Sequence, residues 1–234
     1  MKSGSDTGSE REGKGAARVL VCACGLEAEA RIARKAGFEA VVGGGDRERL
    51  SALLEEAAPR ARWLLSFGLA GALSPELRPG DLVLAAQVLE EDRSWRCEKA
   101  PLPALAEAIG ARPGAVFASN AILATAAEKA RVGKGTEALA VDLESALVAA
   151  SAAAAGIPFL VLRAIADPQA FDLPPAALLP LRAGGRPDLG PILFELCRRP
   201  RQIGPLFFLA RSALRALRAL SSSARPLRSG LLNG

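Results

Sequence analysis

The chain contains no histidine and no tyrosine, and only 4% of its 234 residues are aromatic. The absence of histidine excludes a Ser-His-Asp triad, a histidine general base and any histidine-containing zinc site. Acid–base chemistry must therefore come from Asp, Glu, Lys, Cys or water. The low aromatic content also argues against nucleic acid as a partner, because single strands stack on aromatic side chains interleaved with basic ones.

Cysteine is scarce as well, with four residues in the chain. Cys22 and Cys24 lie two positions apart in an apolar segment, and no second pair has this spacing. The pattern predicts buried free thiols and no metal site, which fits a reducing cytoplasm. No charge-free stretch has the length of a transmembrane helix. Residues 1–16 are polar and lack an apolar signal core, so we expect a disordered tail there.

The net charge of +5 is concentrated near the C-terminus. Residues 196–234 contain eight arginines and no acidic residue, so the rest of the chain is close to neutral. The spacing in this basic extension predicts an amphipathic helix from about Pro205 to Leu220. Such a helix can lie on an anionic membrane interface, or it can pack on its own domain. The predicted apolar face consists of Leu206, Leu209, Ala213, Leu217 and Leu220.

Between residues 17 and 195, short apolar segments of strand length alternate with helical segments. Half of the residues are hydrophobic, which is enough for a sizeable core. The alternation predicts an α/β domain with a central mixed sheet and flanking helices. The predicted strands are Arg18–Ala23, Phe38–Val42, Trp63–Phe67, a strand that begins with Leu82–Leu84, Gly114–Ala118, Ala138–Val141 and Phe159–Ala166.

Several carboxylates follow predicted strands directly. Glu27 and Glu29 open a helix after a strand and Gly25, although such charges also simply suit the first turn of a helix. Glu144 follows another apolar strand. Asp167 ends a strand that is broken only by Arg163, where open α/β sheets bind their ligands. Because Asp-Pro is also common in turns, a structural role remains open.

Two further segments contain glycines at positions where a turn or a ligand contact is expected. Gly68 and Gly71 lie between two predicted strands, where they allow a tight turn and a close approach to a ligand, or form an ordinary connection. The run Gly43-Gly44-Gly45 precedes a predicted helix and could cradle a phosphate or a sugar. Since the run does not spell G-x-G-x-x-G, a dinucleotide-binding fold is poorly supported.

Two motifs in order resemble the nucleoside phosphorylase and nucleosidase superfamily. They are SFGLAGAL followed by PGDLVL within residues 66–84, and AVDLESALVAASAAAAGIPFLVLRAIAD at residues 140–167. The resemblance implies a three-layer α/β/α domain with a mixed sheet, spanning residues 17–195. It also implies an enzyme that cleaves the N-glycosidic bond of a purine nucleoside, and a homodimer.

The resemblance assigns roles to particular positions. Asp167 is expected to protonate the purine at N7, and Glu29 to lie near the attacking water. Glu144 is expected to hold the ribose hydroxyls. No cofactor is implied, but inorganic phosphate remains open as a co-substrate. Ser66 and Leu69 stand where phosphorylases hold phosphate, which favours water unless Gly43–Gly45 provides another phosphate site. The remaining expected substrate contacts are Leu143, Gly25, Ala70, Gly71 and Gly44.

A narrower resemblance links the chain to the hopanoid-biosynthesis-associated phosphorylases. It rests on the GGGD segment, the ADP ending of the last strand, the LPPAAL run at residues 173–178 and the basic C-terminal extension. This branch implies release of adenine from adenosylhopane, by a cytoplasmic protein at the inner face of the membrane. The alternatives are a soluble 5′-methylthioadenosine/S-adenosylhomocysteine nucleosidase or purine nucleoside phosphorylase, and a non-catalytic nucleoside-binding peripheral membrane protein.

Overall fold

A computed structural model describes residues 19–97, 102–182 and 184–233. It shows a mixed eight-stranded sheet flanked by helices and a small separate hairpin, which confirms the expected fold class. In chain order, the elements are β1 (Val19–Cys24), α1 (Glu27–Lys35), β2 (Glu39–Val42), α2 (Arg47–Ala57), β3 (Ala61–Ala72), β4 (Leu82–Glu90), β5 (Arg93–Arg96), α3 (Leu102–Ile109), β6 (Ala111–Ala118), α4 (Ala126–Thr136), β7 (Ala140–Asp142), α5 (Ser145–Ala155), β8 (Phe159–Asp167), β9 (Leu181–Arg182), β10 (Arg186–Pro187), α6 (Leu189–Arg198) and α7 (Ile203–Asn233).

The strand pairing brings distant segments together at one edge of the sheet. β3 runs parallel to β1 and β8 and antiparallel to β7, while β4 pairs with β6, β8 and β5. Near the end of β3, Gly71 is in register with Asp167 of β8 on one side and with Val141 of β7 on the other. The ends of three strands therefore converge around a residue without a side chain.

Local sequence signals set several helix ends. The Asp46 side chain accepts the amide of Arg49 at the start of α2, and Thr125 and Glu128 form a reciprocal capping box at the start of α4. Gly156 ends α5 in a left-handed conformation, with a φ of 66°. These caps fix the direction from which each helix enters or leaves the sheet.

Two apolar cores occupy the two faces of the sheet. Helices α2 and α5 cover one face, and α1, α3 and α7 cover the other. Alanine dominates α5, and its small side chains at Ala146, Ala149 and Ala152 are all buried, which lets the helix approach the sheet closely.

Helix α7 is longer than predicted, and much of it belongs to the core. Its buried positions recur at intervals of three or four residues, so one stripe packs against the domain. The predicted apolar face lies on this side, with Leu220 buried and Leu206, Leu209, Ala213 and Leu217 half-buried. Of the two alternatives for this face, a membrane interface or packing on its own domain, the structure shows packing on the domain. The buried stripe is Ser212, Ala216, Leu220, Ser223, Ala224, Leu227 and Leu231.

Two local predictions were wrong. Gly68 and Gly71 lie inside β3 rather than in a loop, because their missing side chains make room for neighbouring polar groups, as shown below. The polar character of the segment after Glu90 predicts a loop, but Arg93–Arg96 forms strand β5, which pairs antiparallel with β4. Trp95 in this hairpin packs against the core, which explains the strand.

Cys22 and Cys24 are buried free thiols, as predicted. In the ranges 19–97, 102–182 and 184–233, no helix is both long and apolar enough to cross a membrane. The predicted tail at residues 1–16 lies outside the described residues.

Candidate active site

A cavity of about 280 Å³ opens at the edge where β1, β3, β7 and β8 end. This volume lies near the lower end of small-molecule pockets, which begin at roughly 300 Å³. All the sequence-predicted site residues except Gly44 line it, namely Gly25, Glu29, Ala70, Gly71, Leu143, Glu144 and Asp167. Gly44 instead packs against the backbone of Gly184 and Gly185, and its neighbour Gly45 lines the cavity.

Glu29 lies in the first turn of α1 and is 2% exposed. Its Oε2 accepts the amide of Leu26 at 2.8 Å, and its Oε1 accepts the amide of Leu69 in β3 at 2.8 Å. These bonds fix the carboxyl group between α1 and β3. Burial, helped by the nearby negative charge of Glu144, raises the pKa of Glu29 to about 7. Glu29 can therefore take up or release a proton near neutral pH.

Glycines make this packing of polar groups possible. A β-carbon on Gly25 would lie 2.7 Å from Oε1 of Glu144. A β-carbon on Gly68 would lie 2.7 Å from Cδ of Glu29 and 2.8 Å from Nη1 of Arg163. Since such separations are shorter than van der Waals contact, the two glycines are needed to bring the carboxylates and the guanidinium together.

Arg163, in the middle of β8, is 1% exposed and connects the acidic groups behind the cavity. Its Nη2 donates to Ser66 and to Oε2 of Glu144, the latter at 3.3 Å. Its Nε lies within ion-pair distance of Asp142, without hydrogen-bond geometry. Burial alone would lower the pKa of Arg163, but Asp142 and Glu144 outweigh it and raise that pKa. The guanidinium thus remains charged and orients both carboxylates.

Glu144 precedes α5, and one oxygen of its carboxylate points away from Arg163 towards Gly25. Burial raises the pKa of Glu144, Arg163 opposes this rise, and Asp142 adds to it. An oxygen in this position can accept hydrogen bonds from the hydroxyl groups of a bound ligand.

Asp167, at the end of β8, is held by Lys129 of α4. The Lys129 ammonium is completely buried and donates to Oδ2 of Asp167 at 2.7 Å. It also donates to the carbonyl groups of Pro168 at 3.0 Å and Phe171 at 2.6 Å. Burial raises the pKa of Asp167, and Lys129 partly offsets this rise. All three ammonium protons are engaged, so Lys129 fixes the orientation of Asp167 and the loop after it.

No role is predicted from the sequence for Lys129, Arg163, Asp142 or Ser145. For Arg163 a signal existed, because a charged residue interrupts an otherwise apolar strand. Asp142 carried a weaker signal, since it lies two positions before Glu144. Lys129 carried none, because a lysine in a polar helical segment normally lies on the surface. Ser145 donates to the Asp142 carboxylate and so supports it from the first turn of α5.

The electrostatic character of the cavity is acidic. Glu29, Asp142, Glu144 and Asp167 line it, and no basic residue is among the described lining residues. Arg163 and Lys129 lie behind these carboxylates and are already engaged by them. The predicted alternative phosphate site is also occupied, because the Asp46 carboxylate caps the N-terminus of α2. The arrangement suits a neutral ligand that becomes cationic during reaction more than a phosphate dianion.

The outer part of the cavity is apolar. Ile122, Leu123, Leu173 and Leu181 line it, and Ile122 is 48% exposed. Leu123 and Leu173 come from two loops joined by a 2.8 Å hydrogen bond from the amide of Leu173 to the carbonyl of Ala124. A ligand can therefore extend an apolar substituent towards the opening.

Solved structures with the same architecture include several nucleosidases. The chain matches the 5′-methylthioadenosine/S-adenosylhomocysteine nucleosidase of Helicobacter pylori with a TM-score of 0.62 at 16% identity, covering 93% of this chain and 99% of that one. It matches the corresponding Colwellia psychrerythraea protein, solved with adenine, with a TM-score of 0.67 at 13% identity, covering 92% and 96%. A futalosine hydrolase mutant of Helicobacter pylori gives a TM-score of 0.61 at 14% identity, covering 93% and 100%. At these identities the likeness shows the fold.

Sequence comparison gives the family. A futalosine hydrolase of Streptomyces coelicolor is 34% identical over 125 residues, which cover 45% of this chain. The match spans about half of that relative's length, namely 53% of it. The family model described as the phosphorylase superfamily matches residues 17–177, a range that includes every residue of the cavity except Leu181. The chain belongs to the phosphorylase superfamily.

Proposed function

We propose that this protein hydrolyses the N-glycosidic bond of a purine nucleoside. The observation that carries the proposal is the arrangement of Asp167, Glu144 and Glu29 around one cavity, each oriented by a hydrogen bond from Lys129, Arg163 or the amide of Leu69. Glycosidic cleavage develops positive charge on the ribose, so a cavity lined by carboxylates stabilises the transition state more than the ground state.

The three carboxyl groups divide the reaction between them. Protonated Asp167 donates its proton to N7 of the purine while the C1′–N9 bond breaks and its electron pair passes to the base. Glu144 accepts hydrogen bonds from the ribose hydroxyls. Ionised Glu29 takes a proton from water as the water oxygen bonds to C1′. The products are the free purine and the free sugar, and both carboxyl groups then exchange protons with solvent.

Water is the nucleophile that the site favours. A phosphorylase must bind a phosphate dianion beside the ribose, which calls for unengaged cationic groups or amides. Here Ser66 accepts a hydrogen bond from Arg163, and Leu69 contributes its amide to Glu29. Phosphate at this position would also face the carboxylates of Glu29 and Glu144.

The substrate that we propose is a lipid-linked adenosine, adenosylhopane. The apolar outer wall of the cavity supports it, because an apolar group on the 5′ carbon would meet leucine and isoleucine side chains there. The motifs shared with the hopanoid-associated branch support it as well. Small alternatives are 5′-methylthioadenosine, S-adenosylhomocysteine and futalosine, the substrates that the names of the relatives indicate.

Purine release by the purified chain tests this function. Adenosylhopane in detergent or liposomes, 5′-methylthioadenosine, adenosine and futalosine are incubated in phosphate-free buffer, and the free base is measured. We expect release from adenosylhopane, and loss of at least about 100-fold in activity in Asp167→Asn. Asp92→Asn, which changes an exposed aspartate outside the cavity, serves as the matched control and retains activity.

Other outcomes separate the alternatives. Activity on small nucleosides alone supports a soluble nucleosidase and contradicts the hopanoid substrate. Nucleoside binding without release from any substrate supports the non-catalytic binding protein and contradicts hydrolysis. The superfamily resemblance also implies a homodimer, which we propose and which sedimentation equilibrium of the full chain tests.

A further inference from the structure

Helix α6 and the first three turns of α7 present large apolar side chains to solvent. We name these residues the docking face. Their exposed fractions are far larger than those of core residues and reach 69% at Phe207. The docking face consists of Leu189, Leu193, Phe194, Ile203, Phe207 and Leu214.

The docking face is separate from the part of the helices that packs on the domain. Ile203, Phe207 and Leu214 follow a spacing of four and seven residues, which places them on one side of α7. Ser212 and Ala216, on the other side, are buried against the domain. The exposed apolar groups therefore do not contribute to the core, and their number on two consecutive helices indicates an interaction surface.

Exposed arginines alternate with these apolar groups along the same part of the chain. Arg198, Arg201, Arg211, Arg215 and Arg218 are exposed, and among the described residues none of them has an acidic partner within 4.0 Å. Arg199 pairs with Glu195 at 3.4 Å, and Asp188 pairs with Arg182 at 2.9 Å, so the nearby acids are engaged. A second copy of the chain would bring like charges together at this face. An anionic bilayer satisfies both the apolar and the basic groups.

We propose that the docking face binds the surface of an anionic lipid bilayer, with α6 and α7 lying on the membrane. Phe194, Phe207 and the neighbouring aliphatic groups enter the boundary between headgroups and acyl chains. The arginines contact lipid phosphates while their stems remain among the apolar groups. On α7 this surface lies beside the face that the sequence pattern indicated and does not coincide with it.

The docking face is connected to the opening of the cavity. Phe208 of α7 contacts Phe171, with 4.9 Å between ring centroids, and Phe171 is tied to Lys129 through its carbonyl. Leu181, which lines the cavity, lies in the hairpin that leads directly into α6. Membrane binding therefore brings the apolar outer wall of the cavity to the lipid surface, where a lipid-linked substrate is available. The binding itself does not depend on the proposed hydrolysis.

Vesicle flotation of the full chain tests the proposal, with phosphatidylcholine vesicles that contain or lack phosphatidylglycerol. We expect binding at least about tenfold stronger to the vesicles with phosphatidylglycerol, and weakening by salt. The variant Phe194→Ser/Phe207→Ser should lose on the order of 100-fold in binding, since it removes two exposed aromatic groups that enter the lipid on binding. Leu232→Ser, at an exposed position near the end of the same helix, is the control and should bind normally.

A charge variant provides the second measurement. Arg211→Glu should weaken binding to anionic vesicles several-fold, whereas Arg49→Glu, at an exposed position of α2, should not. The proposal is overturned if wild type shows no preference for phosphatidylglycerol, or if the serine variant binds as wild type does. It is also overturned if wild type dimerises without lipid and the serine variant is monomeric.

Turnover of 5′-methylthioadenosine in detergent-free buffer is measured in parallel. The serine variant and Arg211→Glu should both retain any wild-type rate, because none of the substituted residues lines the cavity. Wild type that binds vesicles but releases no base from any nucleoside would reject the proposed hydrolysis and leave membrane binding standing. Release of base without vesicle binding would reject only the docking face.

Discussion

Glu29 combines near-complete burial with two hydrogen bonds from backbone amides. Burial disfavours the carboxylate, while the amides of Leu26 and Leu69 stabilise it, and Glu144 adds repulsion. Burial is the largest of these effects, so the pKa rises to about 7. At neutral pH a carboxyl group with such a pKa is ionised in about half of the molecules. Its carboxylate is a stronger base than an ordinary one, so it can remove a proton from water.

The first prediction is a pH dependence. The base is active when ionised and the acid when protonated, so kcat/KM should rise with pH towards about 7, the pKa of Glu29, and fall again at higher pH once Asp167 loses its proton. Below that pH it should fall roughly tenfold per pH unit. Glu29→Gln should lose on the order of 100-fold or more and show no such rise, while Glu27→Gln, two residues away and outside the cavity, should keep it. An unchanged profile in Glu29→Gln would contradict the role.

The second prediction concerns Lys129, which acts through Asp167. Lys129→Met removes a positive charge that lowers the pKa of Asp167, so that pKa should rise further. We expect kcat to fall by about 10- to 100-fold, and the part of the pH–rate profile governed by Asp167 to move to higher pH. Lys134→Met, at another position in α4, is the control. A loss of stability without a shift of the profile would indicate a purely structural role.

At the level of residues, the sequence predicts the carboxylates and misses their partners. Asp167, Glu144 and Glu29 are predicted because they follow apolar strands, where α/β proteins place polar functional groups, and because they match positions of the superfamily motifs. Lys129 is missed because its burial depends on loop 168–171 and on the end of β8, which are far from α4 in sequence. Asp142 and Arg163 are two ends of one ion pair, and no local pattern shows which charges will meet.

Strand β3 is the element that organises the site. It is in contact with β1, β7 and β8, and its second half carries Gly68, Ala70 and Gly71 past the carboxylates. Glycine in a strand interior costs stability, and in β3 this cost permits the close approach of Glu29, Arg163 and Asp167. The glycines predict a loop here because glycine usually interrupts a strand. In the structure Gly68 and Gly71 stay in the strand because the side chains of Glu29, Arg163 and Asp167 fill the space beside them.

The third prediction is made for this strand. Gly68→Ala places a methyl group against Glu29 and Arg163, which cannot move without breaking their hydrogen bonds. We expect a loss of about 1–3 kcal/mol in the free energy of unfolding and loss of most activity. Gly135→Ala, in helix α4 with open space around its α-carbon, should be neutral or stabilising. Chemical denaturation of both variants measures the difference, and equal stabilities would contradict the packing argument.

On the scale of the whole molecule, helix α7 packs the C-terminal segment against the rest of the domain. Its buried stripe packs with α1, α3 and the sheet, so the segment after residue 195 supplies part of one core. The sequence predicts that this segment is helical and amphipathic. It leaves open whether the predicted apolar face packs on the domain or lies on a membrane, because that choice depends on the surface that β8 and α3 provide.

The fourth prediction tests this integration. Leu227 is completely buried in the core, whereas Leu232 is 40% exposed on the same helix. Leu227→Ala should lower the free energy of unfolding by about 2–5 kcal/mol, and Leu232→Ala should change it by about 0.5 kcal/mol or less. Similar small changes in both variants would show that the end of α7 is not part of the cooperative unit.

We propose that the cavity hydrolyses a nucleoside with water as the nucleophile. The most direct measurement is purine release from adenosylhopane and 5′-methylthioadenosine with and without inorganic phosphate, with identification of the sugar product. Hydrolysis by water predicts equal rates in both conditions, a free sugar as product, and loss of release in Asp167→Asn. Release that requires phosphate and yields a sugar 1-phosphate would contradict it, as would the absence of release from every nucleoside tested.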